Sequence, residues 1–349
     1  MSDLSDNELA SRLKSNGRAL GFFLVGIAPA SRPDTLDALK AWVENGYHAT
    51  MDYIPRRLDA YADPNKVLDG VRTVIMAALP YAPPESTPPS KNGRVAAYAL
   101  GSLDYHNVLR KRLKQLATEL HTHRPDVRTR VTVDTAPVLE RDFARRAGLG
   151  WFGKNTMLIN KSIGSYFFLG AILTDCALPS DPVHEASHCG TCTRCLEACP
   201  TDAFEGPYVL NAEQCISYLT IERRDEPIPE PLRSQMGDWM FGCDICQVVC
   251  PWNRKAPRES IPEFAPTLSA NAIRFLTISE AEFDETFGET PLSRPGWEGM
   301  ARNAAIVLGN LGSDSEREGL TRARNHPSPM VREVVEWARQ AIKARHDAS

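Results

Sequence analysis

The chain contains the run Cys189-Gly-Thr-Cys192-Thr-Arg-Cys195-Leu-Glu-Ala-Cys199-Pro200. A shorter copy of the same pattern follows at Cys243-Asp-Ile-Cys246-Gln-Val-Val-Cys250-Pro251, and Cys215 stands alone between the two. Eight of the nine cysteines of the 349-residue chain therefore fall within about sixty residues, and they make two sets of four.

This spacing is typical of proteins that bind two [4Fe–4S] clusters, in which the fourth cysteine of the longer run binds the other cluster. Accordingly, we predict one cluster on Cys189, Cys192, Cys195 and Cys250, and a second on Cys199, Cys243 and Cys246, with Cys215 the nearby candidate for its fourth ligand. The alternatives are zinc sites and disulfides. The proline after each run and the three-cysteine spacing favour iron and sulfide over both.

The composition describes a globular protein. Hydrophobic residues make up 42% and charged residues 24%, and the length suggests two or three domains. The sequence has no apolar run of eighteen residues and starts with polar, acidic residues, so we predict a cytoplasmic protein without a membrane segment. The net charge of −4 gives no overall attraction to nucleic acid. Local basic patches occur, as at Arg110-Lys111-Arg112 and Arg223-Arg224, although each is more typical of a solvated surface.

Residues 1–180 are predicted to form an α/β domain. Helical spacing occurs at 34–44 and 104–121, and apolar or alternating strand patterns occur at 22–27, 71–79, 127–133 and 165–174. The third strand is followed directly by Asp134. Because ligands bind at the carboxyl ends of strands in open α/β sheets, we predict chemistry at Asp134. The alternative is that Asp134 caps the following helix.

Two further stretches of this region leave the interpretation open. The glycines of Gly148-Leu-Gly150-Trp-Phe-Gly153-Lys154 fit no phosphate-binding motif. Gly148 suits a left-handed helix end, and the others suit close approach to a flat ligand. The proline-rich segment 83–93 is predicted to be an exposed loop, and Cys176 a core or loop residue outside the cluster pattern.

Residues 181–255 are predicted to form a ferredoxin-like two-cluster domain, and residues 256–349 a linker followed by helices. The segments that start at Arg302 and Val331 can be aligned at a period near thirty residues, which suggests paired-helix repeats of the HEAT kind. An ordinary helical hairpin is an equal alternative.

Taken together, these motifs resemble the epoxyqueuosine reductase family. The resemblance covers nearly the whole chain: Ala97-Tyr98-Ala-Leu-Gly101 with Asp104-Tyr105-His106, Val133-Asp134-Thr-Ala-Pro137-Val-Leu-Glu140-Arg141, Gly148 to Lys154, Cys215 to Glu222, Gly242-Cys-Asp244-Ile-Cys246, Cys250-Pro-Trp-Asn253 and Arg302 to Asn310. It implies an oxidoreductase that acts on the tRNA anticodon loop and removes the epoxide oxygen of epoxyqueuosine with two electrons and two protons. It also implies a cobalamin between the α/β domain and the clusters, an external electron donor, and a monomer.

The resemblance assigns roles to particular residues. Asp134 is the expected general acid, and burial under the flat cofactor is expected to raise its pKa. The expected cobalamin contacts are Arg57, Tyr98, Asp134, Leu158, Ser217 and Asp244, and the expected contacts to the modified base of the tRNA are Asp104, Tyr105, His106 and Arg141.

Three other functions remain as alternatives. A reductive dehalogenase also combines a corrinoid with two clusters, but those enzymes carry a twin-arginine leader, whereas Arg56-Arg57 is internal here. A ferredoxin-type electron carrier with a helical interaction tail explains the cysteines but leaves the first 180 residues without a role. Clusters that are only structural, in a tRNA-binding protein, are the third alternative.

Overall fold

The structure, a computed structural model, describes residues 4–83, 89–258 and 261–347. Its helices are α1 (Asp6–Ala19), α2 (Leu36–Glu44), α3 (Leu58–Ala62), α4 (Tyr105–His123), α5 (Glu140–Arg146), α6 (Arg194–Glu197), α7 (Ile216–Ile221), α8 (Glu230–Arg233), α9 (Ile245–Val248), α10 (Ala272–Thr277), α11 (Glu280–Phe287), α12 (Gly296–Leu311), α13 (Arg317–Ala323) and α14 (Pro329–Asp347). Within the described ranges, none of them combines the length and the apolar character that crossing a membrane requires.

The strands are β1 (Leu24–Pro29), β2 (Thr73–Pro80), β3 (Arg94–Val95), β4 (Thr129–Thr132), β5 (Trp151–Phe152), β6 (Leu158–Ile159), β7 (Phe167–Thr174), β8 (Phe204–Gly206), β9 (Val209–Leu210) and β10 (Trp239–Phe241). The four predicted strands of the N-terminal region correspond to β1, β2, β4 and β7. The middle of the predicted proline-rich loop, residues 84–88, lies outside the described residues.

A four-stranded sheet in the order β1-β2-β7-β4 forms the centre of the N-terminal region. Every neighbouring pair is antiparallel: Ile27 lies opposite Ile75, and Ile172 lies opposite both Ile75 and Val131. The region is therefore α+β, and the predicted open α/β sheet is wrong. The long strands β2 and β7 are covered on both faces, so their sequences show the continuous apolar runs that are typical of parallel strands.

Helices cover both faces of the sheet. Along β2, Ile75 and Leu79 pack with α1 and α4, while Met76 and Ala78 pack with α5 on the opposite face. α4 ends at His123 and β4 begins only six residues later, so β4 runs back alongside α4. The first turn of α4 therefore lies next to the residues that follow β4.

A polar junction joins the sheet to the cysteine-rich region. The Asn253 side chain accepts the N–H of Ser165 at 2.6 Å through Oδ1 and donates to the carbonyl of Gln247 at 2.7 Å. Gly164, at a φ of 66°, is required here, because a Cβ atom would lie 2.1 Å from Oδ1 of Asn253. The cysteine-rich region is thus fixed against the sheet by buried hydrogen bonds.

In the C-terminal region, α12 and α14 run in the same direction. Arg302 lies beside Met330, Gly309 beside Trp337, and Gly312 beside Ile342. The two helices of a simple hairpin are antiparallel, so α12 and α14 do not form one. Their parallel packing fits two helix pairs that stack on each other. The assignment to HEAT-like repeats stays a prediction.

Arg302 and Asn303 of α12 form a second buried polar contact, which we call the Arg302 junction. The fully buried Arg302 donates to the carbonyls of Leu219 at 2.9 Å, Arg223 at 2.5 Å and Glu226 at 2.9 Å. Asn303 donates to the carbonyl of Thr220 at 2.8 Å. Several of these carbonyls lie at the C-terminal end of α7, where a cation is favourable.

One apolar core surrounds this junction. It contains Leu219 and Met240 from the cysteine-rich region together with Ala304, Val307 and Val334 from the C-terminal helices. This core contains residues from both sides of residue 255, which is the predicted boundary between two domains. The domain boundaries at 180 and 255 stay predictions.

Candidate active site

All nine cysteines, each among the described residues, are free thiols. Eight of them act on one another mainly within two groups, and one effect crosses between the groups, since Cys195 raises the pKa of Cys246. In the first set, burial raises the pKa values of Cys195 and Cys250, and the nearby Cys189 raises both further. Cys192 acts on Cys250 in the same way. These effects agree with a first set of Cys189, Cys192, Cys195 and Cys250, and this assignment stays a prediction.

The second set contains the isolated Cys215. Burial raises the pKa values of Cys215, Cys243 and Cys246. The neighbouring charge of Cys199 adds to the shift of Cys215, and Cys215 adds to the shifts of the other two. Cys215 precedes α7, Cys243 follows β10, and Cys246 lies on α9. Two separate sets of four thiols suit two four-iron clusters.

Hydrogen bonds from the sheet region reach the backbone of both sets. The ammonium group of Lys154 donates to the carbonyls of Gly190 at 2.7 Å and Cys192 at 3.0 Å. The Asn155 amide donates to the carbonyl of Cys246 at 3.3 Å. Among the described residues, no three His, Cys, Asp or Glu side chains are arranged to hold a single metal ion.

Asp134 follows β4 in a backbone conformation that residues with a side chain seldom adopt. Its φ is 59°, and the N–H of Thr135 donates to the carbonyl of Val133 at 2.6 Å, which closes a three-residue turn. The N–H of Asp134 donates to Oε1 of Glu140 at 2.8 Å. The capping alternative is wrong, because α5 begins at Glu140 and its N-cap, Leu139, makes no side-chain cap bond.

The carboxylate of Asp134 is held by the first turn of α4. The Tyr105 hydroxyl donates to Oδ2 at 2.9 Å, and Nε2 of His106 lies 3.4 Å from the same oxygen. On the other side of the imidazole, Nδ1 lies 2.8 Å from Asp104. Arg294 donates to Asp104 at 3.1 Å, and its guanidinium lies 4.9 Å from the centre of the Tyr105 ring. We call these five residues the Asp134 site.

The network keeps Asp134 charged. Burial raises the pKa of Asp134, but the hydrogen bonds from His106 and Tyr105 and the charge of Arg294 outweigh it, so the pKa is lowered overall. Burial lowers the pKa of His106, and its contacts with Asp104 and Asp134 raise it by more. The protein's own groups thus oppose the raised pKa that is expected of Asp134 as a general acid. Any rise must come from what covers the carboxylate, 62% of whose side-chain surface is exposed.

Tyrosine rings surround the exposed carboxylate. Burial raises the pKa values of Tyr53, Tyr61 and Tyr98, and the charge of Asp134 contributes to each shift. The ring of Tyr98 meets that of Tyr105 edge to face at 5.9 Å. The site therefore combines an exposed carboxylate with neutral aromatic rings, which suits a flat ligand.

Most of the predicted site residues lie around this carboxylate. Tyr98, Asp104, Tyr105 and His106 are brought together with Asp134. Arg57 donates to the carbonyl of Thr135 at 3.3 Å, next to Asp134. Arg141 donates to the carbonyl of Thr156 at 3.0 Å, and the charges of Asp134 and Cys246 both act on its pKa. Arg141 is thus influenced by both the Asp134 site and the second set of cysteines.

Two of the expected cobalamin contacts have buried side chains. Leu158 is 2% exposed and lies in the apolar core beside α5. Asp244 is 1% exposed, its pKa is raised to about 6 by burial, and its Oδ2 accepts the N–H of Ala97 at 2.7 Å. Asp244 thereby fixes the backbone that carries Tyr98. Ser217 is partly exposed on α7.

The glycines near Lys154 have structural roles in place of the ligand approach left open above. Gly148 ends α5 with a φ of 77°, as a left-handed helix end requires. A Cβ atom at Gly150 would lie 2.1 Å from the carbonyl oxygen of Ile159, and one at Gly153 would lie 2.5 Å from the Asn155 side chain. These two glycines therefore allow the β5–β6 hairpin to pack on itself.

A basic cavity of about 640 Å³ lies behind the Asp134 turn. Its charged lining residues are Arg57, Lys66, Arg110 and Arg130, and its floor is formed by Val131, Val133, Ala136 and Pro137. No carboxylate lines it. Arg110 donates to the hydroxyl of Thr135 at 3.2 Å, so the cavity and the Asp134 turn share a wall.

Sequence reasoning missed Arg294 and the role of Glu140. Arg294 lies 190 residues from Asp104, in a short turn without a motif, so no local signal indicates it. Glu140 lies in the same motif as Asp134, six residues later. The available signal was a carboxyl group close to Asp134 in the chain, at the start of the next helix.

Comparison with known proteins agrees with these motifs. Residues 188–253 match a model described as a 4Fe-4S double cluster binding domain, so this part of the chain binds two clusters. Residues 62–135, which end just after Asp134, match a model described as epoxyqueuosine reductase QueG, DUF1730.

The similarity extends over nearly the whole chain. The epoxyqueuosine reductase of Pseudomonas aeruginosa is 44% identical, over 95% of this chain and 93% of that protein. The Escherichia coli K12 enzyme is 39% identical, over 97% and 91%.

Solved structures of such enzymes are similar as well. One, with an epoxyqueuosine-modified tRNA-Tyr stem loop, is 30% identical with a TM-score of 0.89, over 97% of this chain and 91% of that one. Another, from Bacillus subtilis, has its catalytic aspartate loop swung out of the active site. It is 28% identical with a TM-score of 0.86, over the same shares. The chain belongs to the epoxyqueuosine reductase family of oxidoreductases.

Proposed function

We propose that this protein reduces epoxyqueuosine to queuosine at the wobble position of a tRNA anticodon loop. The reaction consumes two electrons and two protons, breaks both C–O bonds of the epoxide, leaves a carbon–carbon double bond and releases the oxygen as water. The observation that carries the proposal is the Asp134 carboxylate, which the Tyr105 hydroxyl and the His106 imidazole hold at the end of β4 with its side chain largely exposed. Arg141 is influenced by the charges of both Asp134 and Cys246, which supports a proton donor and an electron source in one region of the molecule.

Asp134 is the proposed proton donor to the epoxide oxygen. Tyr105 and His106 fix its Oδ2, while Asp104 and Arg294 fix the imidazole and the phenol ring from behind. Since this network favours the carboxylate, a ligand that covers Asp134 and removes water must supply the opposing shift. The carboxylate is exposed in the direction from which such a ligand would approach.

Cobalamin is the proposed ligand beneath the substrate, and the site passes a simple test of fit. The Asp134 carboxylate is largely exposed, the tyrosines that its charge affects are neutral, and Arg57 beside Thr135 suits a phosphate or an amide. When bound, cobalamin would supply a cobalt centre that takes up single electrons and acts on the substrate carbon. Arg57, Tyr98, Asp134 and Ser217 would hold it directly, whereas Leu158 and Asp244 would support it from the core.

The two cysteine sets are proposed to hold clusters that supply the electrons. Cys189, Cys192, Cys195 and Cys250 would bind one cluster, and Cys199, Cys215, Cys243 and Cys246 would bind the other. An external donor would reduce them, because the reaction needs two electrons that tRNA does not provide.

Recognition of the anticodon loop is proposed to combine stacking with phosphate contacts. Tyr105, His106, Asp104 and Arg141 are suited to a base that has been turned out of the loop. The basic cavity offers cations to the RNA backbone, and stacked helix pairs such as those of the C-terminal region form binding surfaces. The family relation weighs against an electron carrier, a dehalogenase or structural clusters. The enzyme is proposed to act as a monomer in the cytoplasm.

The test is turnover of tRNA that contains epoxyqueuosine. Protein purified without oxygen is incubated with that tRNA, cobalamin and a strong reductant, and the nucleosides are then analysed by mass. We expect the loss of one oxygen from the modified nucleoside, and no loss when cobalamin is omitted. An unchanged nucleoside, from protein that contains eight irons and binds cobalamin, would refute the proposed function.

A further inference from the structure

We propose that Glu140 is the positioning residue that holds Asp134 in the site. The inference deepens the proposed function and rests on it. Glu140 is not among the residues expected to contact cobalamin or the tRNA. It fixes the backbone of Asp134, which is among them.

The Asp134 turn is strained and needs an external support. A φ of 59° at an aspartate is sparsely populated, and a three-residue turn of this hand is the rarer and more strained kind. The turn leaves the N–H of Asp134 pointing away from β4. Among the described residues, the acceptor for this N–H is Oε1 of Glu140 at 2.8 Å. The bond therefore closes the segment from Asp134 to Glu140 into a ring.

Glu140 is a firm support because it belongs to a packed helix. It is the first residue of α5, and Phe143 and Ala144 one turn later are buried against the sheet. Tyr105 and His106 hold the Asp134 carboxylate, and the guanidinium groups of Arg57 and Arg110 meet Thr135 at 3.3 Å and 3.2 Å. Both arginines line the open basic cavity, so Glu140 is the anchor on the inner side.

The charge state of Glu140 should tune this support. Burial, and then the charge of Asp134, raise the pKa of Glu140 from 4.5 to about 8, while the hydrogen bond from the Asp134 N–H and the charges of Arg141 and His106 lower it. A neutral Glu140 still accepts the N–H. Because the pKa is raised in the folded protein, its contribution to stability is full below pH 4.5 and is lost as the pH rises to about 8. Above that pH, two adjacent negative charges oppose the inward turn.

The test compares Glu140→Ala with Glu140→Gln. Gln keeps an oxygen that can accept the Asp134 N–H, whereas Ala removes it. We expect Glu140→Ala to lower turnover about 10²-fold and to speed amide hydrogen exchange in the peptide that contains Asp134 and Thr135. Glu140→Gln should keep slow exchange and most of the turnover near neutral pH. In the wild type we expect the exchange protection of this peptide to weaken between pH 6 and 8, and Glu140→Gln should remove that weakening.

Asp142→Asn is the matched control. Asp142 lies on the same helix, is 1% exposed and accepts the N–H of Thr35 at 2.8 Å, a hydrogen bond that does not involve the Asp134 turn. We expect this variant to lower thermal stability while the exchange of the Asp134 peptide stays as in the wild type. If it speeds that exchange as much as Glu140→Ala does, the effect is general to α5 and the proposal fails.

Two further results would overturn the proposal: unchanged exchange at the Asp134 peptide in Glu140→Ala, or exchange in Glu140→Gln as fast as in Glu140→Ala. These readouts do not need substrate. Failure of the proposed function would instead appear as a wild-type protein that does not alter the nucleoside, although Glu140→Ala still loosens the turn.

Discussion

Two arginines eight residues apart show how differently this molecule uses a buried cation. Arg294 belongs to the Asp134 site, where it meets the carboxylate of Asp104 and the ring of Tyr105. Arg302 forms the Arg302 junction, where its nitrogen atoms meet backbone carbonyls and the Asn303 side chain. The first arginine lies among groups that titrate, and the second lies among groups that do not.

The difference follows from the charge of the acceptors. Carboxylates and imidazole exchange protons, so the contacts of Arg294 change with pH and with whatever covers the site. Carbonyls stay neutral, so the acceptors of Arg302 do not change with pH, although burial lowers the pKa of Arg302 itself to about 9. We therefore expect changes at the Asp134 site to affect turnover, and changes at the Arg302 junction to affect stability.

The largest effect is expected for Asp134→Asn. An amide cannot donate the acid proton, and general acids typically contribute about 10²- to 10⁴-fold, so turnover should fall about 10³-fold. Iron content and cobalamin binding, measured by metal analysis and absorption, should stay at the wild-type level. Turnover at the wild-type rate would remove Asp134 from the mechanism.

Arg302→Met tests whether the Arg302 junction, unlike the Asp134 site, serves stability and not turnover. It leaves the carbonyls of Leu219, Arg223 and Glu226 without their buried donor, which should lower the free energy of unfolding by about 3 kcal/mol. Denaturant unfolding measures the loss. Turnover per folded, iron-loaded molecule should change less than about twofold. A large loss of turnover at unchanged stability would contradict the comparison.

Arg294→Gln is the smallest and sharpest test. The amide keeps polarity but loses the charge that fixes Asp104 and Tyr105, so turnover should fall about tenfold, equivalent to about 1.4 kcal/mol. Stability should fall by less than in Arg302→Met, because the side chains of Arg294 and Asp104 keep 19% and 21% of their surface exposed, whereas Arg302 is fully buried. The pKa of Asp134 should rise, since the charge of Arg294 helps to lower it. The pH profile of turnover reports that shift.

The sequence predicted the groups whose spacing is itself the signal. The cysteine runs predicted both sets, including Cys215, because cluster binding constrains ligands that are close in the chain. Asp134 was predicted from its place after β4, although the reason was partly wrong. The sheet is antiparallel and has no common carboxyl edge. Tyr105 and His106 reach Asp134 because β4 runs back alongside α4.

Other features could not be read from the sequence because they depend on distant packing. Arg294 reaches Asp104 across 190 residues. Leu158 and Asp244 carry the right neighbours in sequence, but the fold turns their side chains into the core. The parallel sense of α12 and α14 likewise depends on the connection through α13, whose direction an apolar pattern does not specify.

The shared core around the Arg302 junction has a consequence for how the protein comes apart. Leu219 and Met240 are sealed by Ala304, Val307 and Val334, so a chain cut after residue 255 would expose apolar surface and free the carbonyls of α7. Cys215 immediately precedes that helix. The C-terminal helices are therefore not an exchangeable adaptor, and their unfolding should release iron in the same transition.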